Sequence, residues 1–105
     1  MSTTTREELK ARIYKVTIPI DGKTHIISLQ PRQFLSVGNQ HGSVVMWFEA
    51  NINQEPEERG FRVFLTGEEL PELCKYIGTT SFDTPEISPF VAHLYQVPIE
   101  KPKGW

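Results

Sequence analysis

The sequence has little cysteine, no long apolar run and no marked excess of one charge. Its single cysteine, Cys74, excludes an internal disulfide and favours a reducing compartment. The longest uninterrupted apolar run, residues 44–48, is too short to cross a bilayer. Residues 1–15 lack the apolar segment of a signal peptide. We therefore expect a cytoplasmic protein with no membrane partner.

Site chemistry is equally sparse. The net charge of −2 and the pI near 5.9 do not favour broad nucleic-acid binding. His25, His41 and His93 lie far from one another in sequence, with no cysteine or acid at metal-ligand spacing. The acidic residues cluster in polar loops, and no glycine-rich phosphate loop occurs. The sequence thus predicts no catalytic residue, no metal site and no cofactor, and the protein is not expected to be an enzyme.

Proline and a two-residue alternation of apolar and polar side chains are what the sequence does contain. Eight prolines divide the chain into short pieces, which argues against long helices. Alternation is typical of strands that bury one face. The fold class is therefore predicted to be all-β and mainly antiparallel, a small sandwich or barrel-like domain of six to seven strands with at most one short helix. The predicted strands fall within residues 14–20, 23–30, 33–40, 43–52, 61–66, 76–82 and 90–97.

Residues 33–52 are the clearest structural signal, a hairpin that turns at His41-Gly42. Glycine supplies the positive φ that a tight turn needs, although Asn39-Gln40 would join a longer loop. Gly38 predicts a bulge or the close approach of another backbone. The predicted core face of the second strand consists of Val44, Met46, Phe48, Ala50 and Ile52.

Other local patterns complete the predicted organisation. Asp21-Gly22 predicts a second hairpin between the first two strands. Residues 53–60 read as a mobile acidic loop, and residues 6–10 and 68–74 each have the pattern of one helical turn. The domain boundaries follow from these assignments: a flexible N-terminal segment at 1–10, a single β domain at 11–97 and an extended tail at 98–105.

A series of short sequence words follows the predicted strands in order. They are LSV at 35–37, MW at 46–47, FRV at 61–63, TG at 66–67, YIGT at 76–79 and FVAHLY at 90–95. In this order they resemble a family of small bacteriophage and prophage proteins classed as a domain of unknown function, over residues 12–96. Ala92 departs from the usual tryptophan of that family and Gln96 from an acid. The resemblance implies a phage or mobile-element origin, and hence the host cytoplasm, but no mechanism.

Aromatic side chains near arginines are the candidate binding residues. Such sets suit protein interfaces, base stacking with phosphate pairing, or a second core layer of a sandwich. Tyr14 and Arg12 belong to the wider set. The residues predicted as a binding site are Trp47, Arg62, Phe64, Tyr95, Arg32 and Trp105.

The functional hypothesis is a non-enzymatic phage or prophage accessory protein, a binding module that acts on a host or viral protein as a homo-oligomer. Two alternatives stay open. One is an oligomeric binder of nucleotides or short nucleic acids that sequesters a host defence signal. The other is a minor structural protein of the virion.

Overall fold

A computed structural model describes residues 10–86 and 89–99, and this part of the chain contains seven strands and no helix. All pairings are antiparallel and form two sheets that do not close into a barrel, so the all-β prediction is confirmed as a small sandwich. The strands are β1 (Ala11–Ile18), β2 (His25–Leu29), β3 (Pro31–Gln40), β4 (Ser43–Asn51), β5 (Glu57–Leu65), β6 (Lys75–Phe82) and β7 (Phe90–Val97).

The two sheets have different strand orders. Sheet A has the order β1-β4-β3, and sheet B has the order β2-β5-β7-β6. We call the face of each sheet that points toward the other its inner face, and the opposite face its outer face. Successive side chains on a strand alternate between these faces. The core lies between the inner faces and consists of Ile18, Leu29, Val44, Met46, Phe48, Ala50, Phe61, Val63, Ala92 and Leu94.

Strand β3 links the two sheets from edge to edge. A single residue, Gln30, separates it from the end of β2 in sheet B. The Phe34 ring then meets Phe61 of β5 edge-to-face, with centroids 6.1 Å apart. Further along, Asn39 Nδ2 donates to Thr80 Oγ1 of β6 at 2.7 Å. Because β2 and β6 are the opposite edges of sheet B, β3 passes from one edge of that sheet to the other and closes one side of the sandwich.

The central hairpin forms as predicted. Gln40 pairs with Ser43, so the loop has two residues, His41 and Gly42, and Asn39-Gln40 belongs to β3 rather than to a longer loop. Both loop residues have positive φ, 52° and 79°, which is the geometry of a type I′ turn. The four β4 residues of the predicted core face are buried, and Ile52 follows the end of the strand.

The close neighbour of Gly38 is a side chain, that of Trp47, and not another backbone. A Cβ at this position would lie 3.1 Å from Cζ3 of Trp47, so the indole ring rests on the glycine. The irregularities in β3 pairing lie elsewhere, between Pro31 and Gln33 and between Phe34 and Ser36. The prediction of a bulge or of a close approach by another backbone at Gly38 was therefore wrong, because the space is filled by the side chain of Trp47.

The hairpin predicted at Asp21-Gly22 was also wrong. β1 pairs with β4 and β2 pairs with β5, so the turn carries the chain from one sheet to the other. Asp21 Oδ1 accepts a hydrogen bond from Lys23 N at 3.0 Å and lies 3.0 Å from His25 Nε2. The contact with His25, followed by the Lys23 bond, holds the pKa of Asp21 below its ordinary value. These bonds hold the local shape of the connection that leads from sheet A to sheet B.

Two further local predictions are corrected. Glu57 and the next three residues extend β5, because they pair with β2 instead of forming a loop. The segment 68–74 is not helical: Glu68 Oε1 accepts a bond from Leu65 N at 2.7 Å, and Leu73 has a φ of 65°. Both features divert the chain from helical geometry. The helical turn predicted at 6–10 and the tail beyond residue 99 lie outside the described residues.

Candidate functional site

The outer face of sheet B carries two rows of side chains that cross β5, β7 and β6. One row is Arg62, Tyr95 and Tyr76, and the other is Phe64, His93 and Thr79. The residues that alternate with them, such as Val63 and Leu94, point into the core, so both rows face outward. We call this surface the Arg62 face: Arg62, Phe64, Tyr76, Thr79, His93 and Tyr95.

The aromatic rings of this face form a covered centre and an exposed end. Phe64 is only 1% exposed, with the Arg62 Cζ 4.5 Å from its ring centroid and the Tyr95 ring packed edge-on at 5.6 Å. The ring centroids of Tyr95 and Tyr76 are in turn 5.5 Å apart, and Tyr76 is 59% exposed. Phe64 is therefore the core of a small outer cluster, as the second-layer interpretation expected, whereas Tyr76 is offered to solvent.

A chain of hydrogen bonds holds the polar row in place. His93 Nε2 lies 2.9 Å from Thr66 Oγ1, and His93 Nδ1 lies 3.0 Å from Thr79 Oγ1. Thr79 Oγ1 lies a further 2.6 Å from the Tyr76 hydroxyl. Both ring nitrogens of His93 are thus engaged, which fixes the ring and ties β6, β7 and the loop after β5 together. In the described part of the chain, no three acids, histidines or cysteines lie close enough to hold a metal.

Arg62 lies at the side of a cavity of about 380 Å³. Its Nε is buried without a hydrogen-bond partner, the single such side-chain atom among the described residues. Arg32 and Arg59 each pair with a glutamate, at 3.8 and 2.8 Å, but Arg62 takes part in no ion pair within residues 10–86 and 89–99. The other lining residues are mostly apolar: Thr24, Ile26, Pro71, Val97, Pro98 and Ile99. The cavity therefore suits an anionic group attached to an apolar body.

Large apolar side chains are exposed at this cavity and in the connection that follows β5. Ile26 of β2 lines the cavity and is half exposed. Leu70 and Leu73 lie in the connection between β5 and β6, and Leu73 is 86% exposed. Exposed leucine, isoleucine and tyrosine beside an unpaired arginine are typical of a contact surface for another molecule.

The structure brings together three of the six residues predicted as a binding site. Arg62, Phe64 and Tyr95 lie on the Arg62 face. Trp47 lies on the outer face of sheet A, where it is opposite Lys15 of β1 and Ser36 of β3. Arg32 pairs with Glu49 on that same face. Trp105 lies outside the described residues. The aromatic and arginine set predicted as one cluster is therefore divided between opposite sides of the sandwich.

Sequence reasoning missed Tyr76, Thr79 and His93 as members of this face. Tyr76 and Thr79 are three positions apart, so a strict two-residue alternation assigns them to opposite faces. An irregularity in pairing between Tyr76 and Gly78 restores them to the same face. The short spacing around Gly78 was the available signal, because glycine inside a strand often accompanies such an irregularity.

These features define a small antiparallel β-sandwich with one outer face built of aromatic, apolar and hydrogen-bonded polar side chains. The chain belongs to a family described as a domain of unknown function, DUF7352, whose model matches residues 9–104. The resemblance to an uncharacterised family is thereby confirmed. No curated protein matches the chain, and no solved structure matches it. The part of the chain that the structure describes contains no helix able to span a membrane.

Proposed function

We propose that this protein is a non-enzymatic binding module that captures a partner protein on its Arg62 face. The observation that carries the proposal is the guanidinium of Arg62, which has no acidic partner among the described residues. It lies beside half-exposed Ile26 at the cavity and shares a row across the strands with exposed Tyr76. Arginine and tyrosine are the side chains most often found at the energetic centre of protein interfaces. A partner that offers a carboxylate next to apolar side chains matches this surface.

The setting we propose is a phage or prophage, with a host or viral protein as the partner in the host cytoplasm. The support is the order of short sequence words from LSV to FVAHLY, which resembles small phage and prophage proteins. The same face serves an accessory protein that occupies a host surface and a minor virion protein that attaches to a capsid component. In both cases the Arg62 face is the contact surface.

The arrangement favours a protein partner over a nucleotide. Base stacking needs aromatic faces that are open to the ligand. Phe64 is covered by Arg62 and Tyr95, and Trp47 rests on Gly38 on the other side of the molecule. Tyr76 is the exposed ring of the face, and its hydroxyl is already bonded to Thr79. A stacking pair beside a free arginine is therefore not assembled on the Arg62 face.

Affinity purification with matched variants tests this proposal. Tagged wild-type protein is used to capture a partner from host cells, and the dissociation constant of the identified partner is then measured. Arg62→Met keeps an apolar side chain over Phe64 but removes the charge. Because a hydrogen bond to a charged group contributes about 1.5–3 kcal/mol, we expect binding to weaken about ten- to hundredfold.

Two further variants make the result specific to the face. Tyr76→Ser should weaken the same complex, because it removes an exposed aromatic contact. Leu35→Ser on β3 is the control, since Leu35 is similarly exposed, at 40%, but lies in sheet A. Equal affinity of the wild type, Arg62→Met and Tyr76→Ser for the partner would contradict the proposal.

A further inference from the structure

Strand β1 is the edge of the described sandwich with the most regular backbone, and the charged side chains of Arg12 and Lys15 are its only feature that opposes pairing. The other edges are each blunted: β2 has five residues, β3 begins at Pro31 and has two irregularities, and β6 has one irregularity and lies against β3. β1 has eight residues, contains neither proline nor glycine, and pairs with β4 without any shift in register. A long, regular and open edge strand is a template for pairing with another chain.

The side chains of β1 are exposed on both faces of sheet A. Ile13, on the outer face, is 65% exposed, and Tyr14, on the inner face, is 41% exposed although its ring touches Phe48 at 6.1 Å. Exposed isoleucine and tyrosine side chains at adjacent positions of a regular strand are typical of a strand that forms an interface. Covering them would remove apolar surface from water.

One backbone hydrogen bond at the start of β1 shows which residues of this strand are bonded to β4. Ile52 N donates to Lys10 O at 3.3 Å, so residue 10 and the even-numbered residues after it exchange bonds with β4. The odd-numbered residues 11, 13, 15 and 17 therefore direct their N–H and C=O groups away from β4. These groups form a regular row of donors and acceptors along the free edge.

We propose that β1 pairs antiparallel with β1 of a second copy of this chain about a two-fold axis centred on Ile13. Three strands of sheet A from each copy then form one continuous sheet of six strands. The pairing places Ile13 opposite Ile13 of the second copy, Arg12 opposite its Tyr14, and Ala11 opposite its Lys15. All bonds across the axis use the odd-numbered groups that β4 leaves free.

Charge and apolar contact select this register over its neighbours. Centring the axis on Lys15 places two lysines directly opposite each other, which is destabilising. Centring it on Tyr14 places Ile13 opposite a lysine. Only the Ile13 register joins the two isoleucines and brings each arginine next to a tyrosine ring, where a cation–π contact is available.

A second copy is the occupant that this edge fits best, because the strand complements itself when it is inverted. On the outer face of the six-stranded sheet, Arg32, Glu49 and Ile13 would lie side by side across the strands. The same three residues of the second copy would follow in reverse order. An apolar pair is thus flanked on each side by an ion pair. The dimer does not depend on the proposed function, but it would present two Arg62 faces and raise the avidity for a repeated partner.

The mass of the full-length protein in solution tests the proposal. We expect sedimentation equilibrium to give twice the chain mass of 12.0 kDa for the wild type. Ile13→Pro should give 12.0 kDa with an unchanged far-UV spectrum, because the N–H it removes is not bonded to β4. Ile13→Val keeps the N–H and should remain dimeric. A monomeric wild type, or a folded Ile13→Pro protein that remains dimeric, would overturn the inference.

Oxidative cross-linking decides the register and does not depend on whether Ile13→Pro folds. In a Cys74→Ser background, Ile13→Cys should form a disulfide dimer, because directly opposed, hydrogen-bonded residues lie about 5.5 Å apart between Cα atoms. Lys15→Cys should not, because its copies lie four positions apart along the strands. A cross-link through residue 15 alone would refute the Ile13 register. A dimer that cross-links at neither position would equally refute the Ile13 register.

Discussion

At the scale of single residues, two glycines allow elements to approach more closely than side chains permit. Gly38 lies beneath the Trp47 ring on the outer face of sheet A. Gly78 of β6 faces Val37 of β3, where an added Cβ would lie 2.6 Å from Val37 Cγ2 and 2.9 Å from Val37 Cβ. The contact between β3 and β6, which closes one side of the sandwich, therefore depends on the absence of a side chain at residue 78.

Replacing Gly78 by alanine should destabilise the protein by about 1–3 kcal/mol, the usual cost of overpacking a filled site. The same substitution in a Val37→Ala background should cost less, because the closest clash, with Cγ2 at 2.6 Å, is gone while the contact with Val37 Cβ at 2.9 Å remains. Urea unfolding of the four proteins measures both values as a double-mutant cycle. Equal costs in the two backgrounds would show that the Gly78–Val37 contact is not what requires glycine.

Only part of the Arg62 face could be predicted from the sequence. Arg62, Phe64 and Tyr95 could be selected from the sequence because they alternate with core positions on regular strands. Tyr76 and Thr79 were missed because an irregular pairing between them reverses the alternation of side chains between the two faces of the sheet. Trp47 and Arg32 were assigned to the same set because residue type alone does not tell which sheet a strand joins.

At the scale of elements, the hairpin of β3 and β4 is the most completely specified part of the chain. Its two-residue loop places both His41 and Gly42 at positive φ. Glycine adopts this conformation without cost, but histidine does so less readily than asparagine. The turn therefore carries a small strain at His41 that the long pairing of β3 with β4 offsets.

Replacing His41 by asparagine should stabilise the protein by about 0.5–1 kcal/mol, because Asn-Gly is the preferred pair for a type I′ turn. Gly42→Ala should destabilise it by about 1–2 kcal/mol, the cost of a left-handed conformation with a Cβ. Thermal and urea unfolding provide the measurement. A destabilising His41→Asn would mean that the histidine makes a contact that compensates for its backbone conformation.

The turn at Asp21-Gly22 shows the opposite outcome at the same scale. Its residues favour a hairpin as strongly as any in the chain, and Gly22 does adopt a φ of 73°. The strands on either side nevertheless join different sheets. The predicted hairpin was therefore wrong, since residues that favour a turn limit the direction of the chain but do not select the neighbour of each strand.

At the scale of the whole molecule, β3 makes the two sheets one folding unit. Phe34 contacts Phe48 of sheet A, with ring centroids 6.4 Å apart, and Phe61 of sheet B at 6.1 Å. The single residue Gln30 between β2 and β3 fixes the two sheets at this corner, where Asn51 N donates to Gln30 O at 3.1 Å. We therefore expect the two sheets to unfold together.

Phe34→Ala should destabilise the whole domain by about 2–4 kcal/mol, somewhat less than the loss for a fully buried phenylalanine. Leu35→Ala is the matched control, since the neighbouring side chain is 40% exposed and should cost less than about 1 kcal/mol. Circular dichroism and tryptophan fluorescence should report one coincident transition in each protein. Separate transitions for the two probes would show that the sheets are independent.

The sequence by itself determined the all-β class, the approximate extent of most strands, the inward face of β4 and the turn at His41-Gly42. These features follow from side-chain alternation and backbone conformation, which act between residues close together in the chain. The tertiary structure decided which strands pair, that residues 57–60 join β5, and that Arg62 and Tyr76 share a face remote from Trp47. Backbone hydrogen bonds are alike for every strand, so pairing is selected by packing between residues distant in sequence.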